Sequence, residues 1–321
     1  KNYDAIEFFH HLNSVVRGTY PGFLTIAEES TAWPNVSKPT SLGGLGFNFK
    51  CNMGWMNDVI RYFNLDGLSR KYNHDCLTFS FFYAFSENFV LPISHDEVVH
   101  GKGSLINKHP GDPNDPEQYA EKFTGVRSML AYMYSHPGKK LLFIRREFGQ
   151  FSEWNYKTQL DWNLLDYDAH RQLQAYVRAL NTFYKENPAF WEVDYSWEGF
   201  EWIIPDDNAN SVLAYKRKDA DGNTVYAILN FTKVDRLGYR MGAEDGIYEV
   251  VFDSDDPAFG GNGRSTSGKV ESIDEPLHSQ EASIALDIAG NSALFLKRVA
   301  AKDRTPKWSP EHSGSFAFPR K

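Results

Sequence analysis

Two short segments combine residue types suited to acid–base chemistry: Phe-Leu-Thr-Ile-Ala-Glu-Glu-Ser-Thr over residues 23–31, and Phe-Val-Leu-Pro-Ile-Ser-His-Asp-Glu-Val-Val-His over 89–100. In each, an apolar run stops abruptly at a carboxylate. Bringing a carboxylate next to a hydrophobic core is costly, so two strand-like runs that finish at Glu28 and at Asp96 call for one explanation. Glu28, following Ile26 and Ala27, is expected in a low dielectric that raises its pKa into the range of a general acid, and the bland alternative is that Glu28 and Glu29 cap a turn. His95 beside Asp96 offers an imidazole to donate to or accept from hydroxyls, and a carboxylate to face a developing cation. Taken alone, that pair reads first as a loop whose aspartate accepts backbone N–H groups.

Other candidates are weaker. Glu147, near the end of an apolar run at 140–144, could join Glu28, His95 and Asp96 in an oxygen and nitrogen metal site, but the two-histidine spacing of a strong metal motif is lacking. Trp154 and Trp162 are placed either to stack on a sugar ring or to pack their own loop, and the residues leave both open. Gly260-Gly261-Asn262-Gly263 has no strand-to-helix junction around it and reads as an inter-strand loop, not a phosphate cradle.

Positioning these residues requires a large core. The chain has 321 residues, 41% hydrophobic and 15% aromatic, which implies two domains. A net charge of −8 argues against nucleic acid or an anionic membrane as partner and favours a neutral ligand. Two cysteines, Cys51 and Cys76, are too few for a disulfide framework, and reduced buried thiols in a cytoplasmic protein are expected. No apolar stretch reaches membrane-spanning length, and the first 30 residues carry no signal-type core. The chain opens on Lys1 and enters at once a helical pattern of Ile6, Phe9, Leu12, Val15 and Val16, as an internal segment of a longer sequence would.

Strands are predicted over 23–28, 47–51, 89–94 and 140–144, with helices over 55–63, 77–87, 117–134 and 171–186. Alternation of this kind implies right-handed crossovers and a parallel sheet with its functional loops at the C-terminal strand ends. The fold class expected is therefore α/β: half of a (β/α)8 barrel over 1–195, with open edges that call for the missing N-terminal half as partner. From 200 the pattern changes to short strands at 200–204, 212–216, 224–230, 248–252, 282–286 and 293–298, with a hairpin turn at Asp221-Gly222-Asn223. An all-β antiparallel sandwich over 196–299 follows, with a loosely ordered tail over 300–321.

With these blocks in place, the chain resembles the C-terminal portion of the bacterial-type glycogen branching enzymes of the α-amylase superfamily. The likeness rests on Asn2-Tyr3-Asp4-Ala5-Ile6-Glu7-Phe8-Phe9, Ala27-Glu28-Glu29-Ser30-Thr31, Gly43-Gly44-Leu45-Gly46-Phe47, residues 91–102, His136-Pro137-Gly138-Lys139-Lys140 and Leu160-Asp161-Trp162. The resemblance implies Glu28 as general acid/base, Asp96 as the carboxylate that stabilises the transition state and His95 as a contact to sugar hydroxyls. It also implies an α-glucan substrate, α-1,6 branch formation with retention, and no cofactor or metal. The family's nucleophile is an aspartate on the fourth barrel strand, upstream of this stretch, so these would be strands five to eight and the chain alone is expected to be inactive. A non-catalytic glucan-binding fragment and a hydrolytic relative are the alternatives. One departure stands out: Ile144-Arg145-Arg146-Glu147-Phe148 occupies a place where the family usually carries Met-Gly-Gly or Met-Gly-Asn before Glu-Phe.

Overall fold

A computed structural model describes residues 1–144 and 146–302. Its first part alternates helices with short parallel strands: α1 (Tyr3–Thr19), β1 (Ile26–Ala27), β2 (Phe49–Cys51), α2 (Met53–Asn64), α3 (Asp75–Thr78), β3 (Phe89–Ile93), α4 (Pro116–Ser135), β4 (Lys139–Leu142) and α5 (Asp168–Glu186). The strands pair in the order β1-β2-β3-β4, all parallel, with Ala27 opposite Lys50, Cys51 opposite Val90 and Ile93 opposite Leu142.

Local chemistry sets the helix starts. Asn52, directly after β2, accepts the Trp55 N–H through its side chain (2.9 Å) and so starts α2. Asp115 does the same for α4, accepting the N–H groups of Glu117 and Gln118 with Pro116 at the first helical position, where the missing proline N–H costs nothing. β3 is buried along its whole length, as a strand covered on both faces must be.

Three expectations need correction here. The strand predicted over 23–28 is only Ile26–Ala27, and Ile26, Phe23 and Leu24 are exposed. The helix predicted over 77–87 ends at Thr78 and passes into a 3-10 turn, Phe79–Phe82. Its cause is visible: the Leu77 carbonyl, which a longer helix would use, accepts the Tyr132 hydroxyl, and the Ser80 hydroxyl is drawn to the His136 ring at 3.0 Å. In α1 the predicted apolar face is only partly covered, with Phe8, Leu12 and Val15 exposed, while Asn13 is buried on the Leu45 carbonyl. The tail expected from 300 lies, from 303 onward, outside the described residues.

The second part is all antiparallel: β5 (Phe200–Asp207), β6 (Val212–Lys218), β7 (Thr224–Asn230), β8 (Arg236–Ala243), β9 (Ile247–Asp253), β10 (Lys269–Glu271), β11 (Ala282–Ile288) and β12 (Ser292–Ala300). Six form a sheet in the order β10-β9-β12-β7-β6-β5, and β11 pairs with β8. β8 and β10 were not predicted. The central strands bury both faces, in strict alternation: Ala214, Tyr226, Ile228 and Leu294 pack toward β8 and β11, while Leu213, Ala227, Leu229 and Phe295 pack toward the helices of the first part, as a period of two requires. Three buried arginines cross that second interface. Arg70 donates to the Phe231 carbonyl (2.8 Å), Arg127 to that of Ser254 (3.0 Å), and Arg217 to that of Ser135 (2.8 Å) and to Asp194 (2.8 Å).

Candidate active site at the C-terminal strand ends

Because β1 to β4 run parallel, the residues that follow them gather at one end of the sheet. Glu28 follows β1, Asn52 follows β2, His95 and Asp96 open a 3-10 turn (His95–Glu97) one residue after β3, and Arg146 and Glu147 follow β4. β1 and β3, the strands that lead into Glu28 and Asp96, are two strand spacings apart across the sheet, about 10 Å between backbones.

Glu28 is exposed, so the enclosed, low-dielectric setting expected for it is not built by the described residues. Its surroundings are nevertheless defined. Burial, and next the Glu28 carboxylate, push the Cys51 thiol up, which means that Glu28 leans toward the end of β2. The chain just beyond it is pinned by Lys50, a buried lysine whose ammonium donates to the Thr31 carbonyl (3.0 Å) and the Trp33 carbonyl (3.3 Å) and pairs with Glu29 at 3.0 Å. For Glu29, burial raises the carboxyl, but Thr31 and Lys50 together hold it below its ordinary value. The neighbouring carboxylates therefore differ: Glu29 is committed to structure and Glu28 is left to face solvent.

His95 and Asp96 are half exposed and touch each other, Nε2 to Oδ1 at 3.3 Å. Behind the imidazole stand two aromatic rings, Phe143 at 5.7 Å and Trp154 edge-on at 5.6 Å. Trp154 also meets Phe143 edge-on (5.6 Å) and donates its backbone N–H to the Val98 carbonyl (2.8 Å). Trp154 thus packs its ring against His95 itself. Trp162 lies elsewhere on the same loop, half exposed and stacked on Phe148 at 5.5 Å.

The segment after β4 holds a residue whose role spacing did not reveal. Arg146 is buried, donates to the Ser94 carbonyl just before His95, and lies over the Phe143 ring at 5.8 Å. Burial pulls its guanidinium down to about 9 against the opposing pull of Glu97 and Glu147. Arg146 thus fits beneath the β3 turn without closing it off; Arg145 lies outside the described residues. Among the described residues no group of three or more His, Cys, Asp or Glu side chains could hold a metal ion, so the metal-centre alternative through Glu147 has no ligand set. Cys51 and Cys76 are both free and buried. No described helix is long and apolar enough to cross a membrane.

Comparison with known proteins bears on the family and the fold. Residues 202–299 match the α-amylase C-terminal all-beta domain family. The chain is 51% identical over 299 residues to the 1,4-alpha-glucan branching enzyme of Halothermothrix orenii and 49% identical over 299 residues to that of Aquifex aeolicus, in each case covering 92% of this chain and 46% of the relative. It therefore spans about half the length of the curated relatives it matches. Among solved structures it is similar to an α-amylase from Geobacillus thermoleovorans complexed with acarbose (TM-score 0.62, 11% identity, 92% of this chain and 58% of that one) and to an α-amylase from H. orenii (TM-score 0.58, 12% identity, 93% and 58%). At such identities the likeness speaks for the fold. A parallel sheet with its acids at one rim, an α-amylase-type all-β second part and half-identical relatives lead to one conclusion: the chain belongs to the bacterial-type 1,4-α-glucan branching-enzyme family of the α-amylase superfamily, matching its C-terminal portion.

Proposed function

We propose that this chain supplies the acid/base half of a retaining branching site: strands β1 to β4 act as strands five to eight of a (β/α)8 barrel, residues 1–195, backed by the sandwich of 196–299. The substrate is an α-1,4-glucan. Glu28 protonates the glycosidic oxygen while a carboxylate from outside these 321 residues attacks the anomeric carbon, and a covalent glycosyl-enzyme forms. Glu28 then takes the proton from the 6-hydroxyl of an acceptor glucan, whose oxygen displaces the enzyme carboxylate and makes the α-1,6 branch. Retention calls for acid and nucleophile about 5 to 5.5 Å apart. Asp96 faces the oxocarbenium-like charge and His95 the ring hydroxyls, while Trp162, half exposed, is a contact to a more distant sugar. Glycogen or a similar storage glucan in the cytoplasm is the setting that fits.

The observation that carries this reading is the convergence of Glu28 and of His95–Asp96 on the C-terminal end of one parallel sheet, in a chain half identical to branching enzymes. A chimaera joining this chain to the complementary N-terminal portion of the H. orenii relative tests it. Amylose treated with the chimaera should lose iodine absorbance, and Glu28→Gln or Asp96→Asn should abolish the change while leaving the circular dichroism intact. The 321-residue chain by itself should cause no change. Near-normal branching by the Glu28→Gln chimaera would remove Glu28 from the reaction.

A further inference from the structure

The segment after β3 turns sharply twice. Gly101 and Gly103 both sit in the left-handed region, with φ of +84° and +74°. A side chain at Gly101 would meet no atom within 4 Å, and one at Gly103 would meet only Asn107 at an ordinary 3.7 Å. Space therefore does not demand glycine; backbone conformation does. Such a conformation turns successive N–H groups to one side, where they form an anion-binding concavity. Here the anion is within the chain: the Glu153 carboxylate accepts the Gly103 N–H at 2.7 Å and the Gly101 N–H at 3.0 Å. Those two bonds hold the Glu153 carboxyl below its ordinary value.

The next residue completes the grip. Trp154 donates its backbone N–H to Val98 (2.8 Å) and sets the edge of its ring on the His95 imidazole (5.6 Å, 78° between planes). Residues 153 and 154, carried on the loop after β4, thus hold the loop after β3 at Val98, Gly101 and Gly103 and the imidazole beside Asp96. We propose that Glu153 and Trp154 act together as a positioning clamp, fixing the orientation of His95 and Asp96 and the path of 98–103 at the rim. Neither residue touches the reacting atoms. The inference rests on reading His95 and Asp96 as site residues, and its test involves no turnover.

The 321-residue chain, labelled with nitrogen-15 and with carbon-13 histidine, provides that test. In the parent chain the Gly101 and Gly103 amides should resonate together at low field, as donors to a carboxylate do. Glu153→Ala should abolish that displacement for both and speed their hydrogen exchange about tenfold or more; Glu153→Gln, a neutral acceptor, should fall between. Trp154→Leu should move the His95 ring resonances, and Trp154→Phe, which keeps an aromatic edge, should restore most of them. Loss of the indole ring current moves nearby resonances by itself, so the deciding readout is the His95 side-chain χ1 coupling. It should report one rotamer in the parent and in Trp154→Phe and rotamer averaging in Trp154→Leu; a role confined to stability would leave that coupling unchanged. Glycine amides that ignore Glu153→Ala, or a His95 χ1 coupling that ignores Trp154→Leu, would overturn the clamp. Failure of the Glu28→Gln test would instead count against the catalytic reading alone.

Discussion

Glu28 and Glu29 show how adjacent identical residues are separated by environment. Glu29 is tied to Lys50 and Thr31, so Lys50→Met should free the loop that follows Glu28, and in the active chimaera it should lower kcat more than it raises KM. A second paired carboxylate lies in the all-β part. Burial raises the Glu201 carboxyl, but the Lys218 and Lys216 ammoniums outweigh it and draw it down to about 2. A folded-state value below the ordinary 4.5 gives stability that is fully present above about pH 4.5 and lost as pH falls through about 2. Acid unfolding followed by circular dichroism should accordingly shift to higher pH in Lys218→Met, and an unchanged midpoint would dismiss the pairing. Asp194 and Arg217 are wholly buried and paired at 2.8 Å. Arg217→Met strands a buried carboxylate beside Lys139 and should cost about 3–5 kcal/mol in denaturant unfolding. Sequence made the acids legible because each closes an apolar run. It hid the Trp154–His95 and Glu153–Gly103 contacts, whose partners are about fifty residues apart in sequence and are brought together where β3 pairs with β4.

At the level of elements, periodicity located the pieces that bury a clear stripe and missed those that do not. α5 buries Leu173, Tyr176, Val177, Leu180 and Phe183, the spacing of one helical face. β8 escaped because Arg236, Leu237 and Gly238 lie half or fully exposed and only its end is buried, so alternation is blurred; β10 is three residues long with two exposed. The helix expected over 77–87 failed for a tertiary reason, capture of the Leu77 carbonyl by Tyr132, which no local pattern contains. β12 is the strand on which both halves lean: Phe295 packs across the interface on Phe183 and Phe190 and, within its own sheet, on Phe252 of β9, while Leu294 faces the sandwich core. Phe295→Ala should therefore cost about 3–5 kcal/mol, measured as a fall in the denaturant midpoint at unchanged slope. A loss below 1 kcal/mol would mean that the interface repacks freely.

As a whole molecule, the chain is one all-β unit fastened by buried arginines to a four-stranded parallel sheet whose outer strands, β1 and β4, have no further strand paired to them among the described residues. Beside β1, Phe23, Leu24 and Ile26 are exposed, and Phe8 and Val15 of α1 are exposed as well. Edges and apolar surface of that kind drive association. Under the proposed function these edges would meet the other strands of a barrel; the chain spans 46% of its H. orenii relative. Glu28 is the proposed acid/base of a double displacement. That assignment is tested most directly by mass spectrometry of the Glu28→Ala chimaera with an α-maltosyl fluoride donor, whose leaving group needs no proton. The account predicts a covalent glycosyl-enzyme that accumulates and is discharged by azide to the α-glycosyl azide; an enzyme that stays unlabelled, or that branches amylose as fast as its parent, would contradict it.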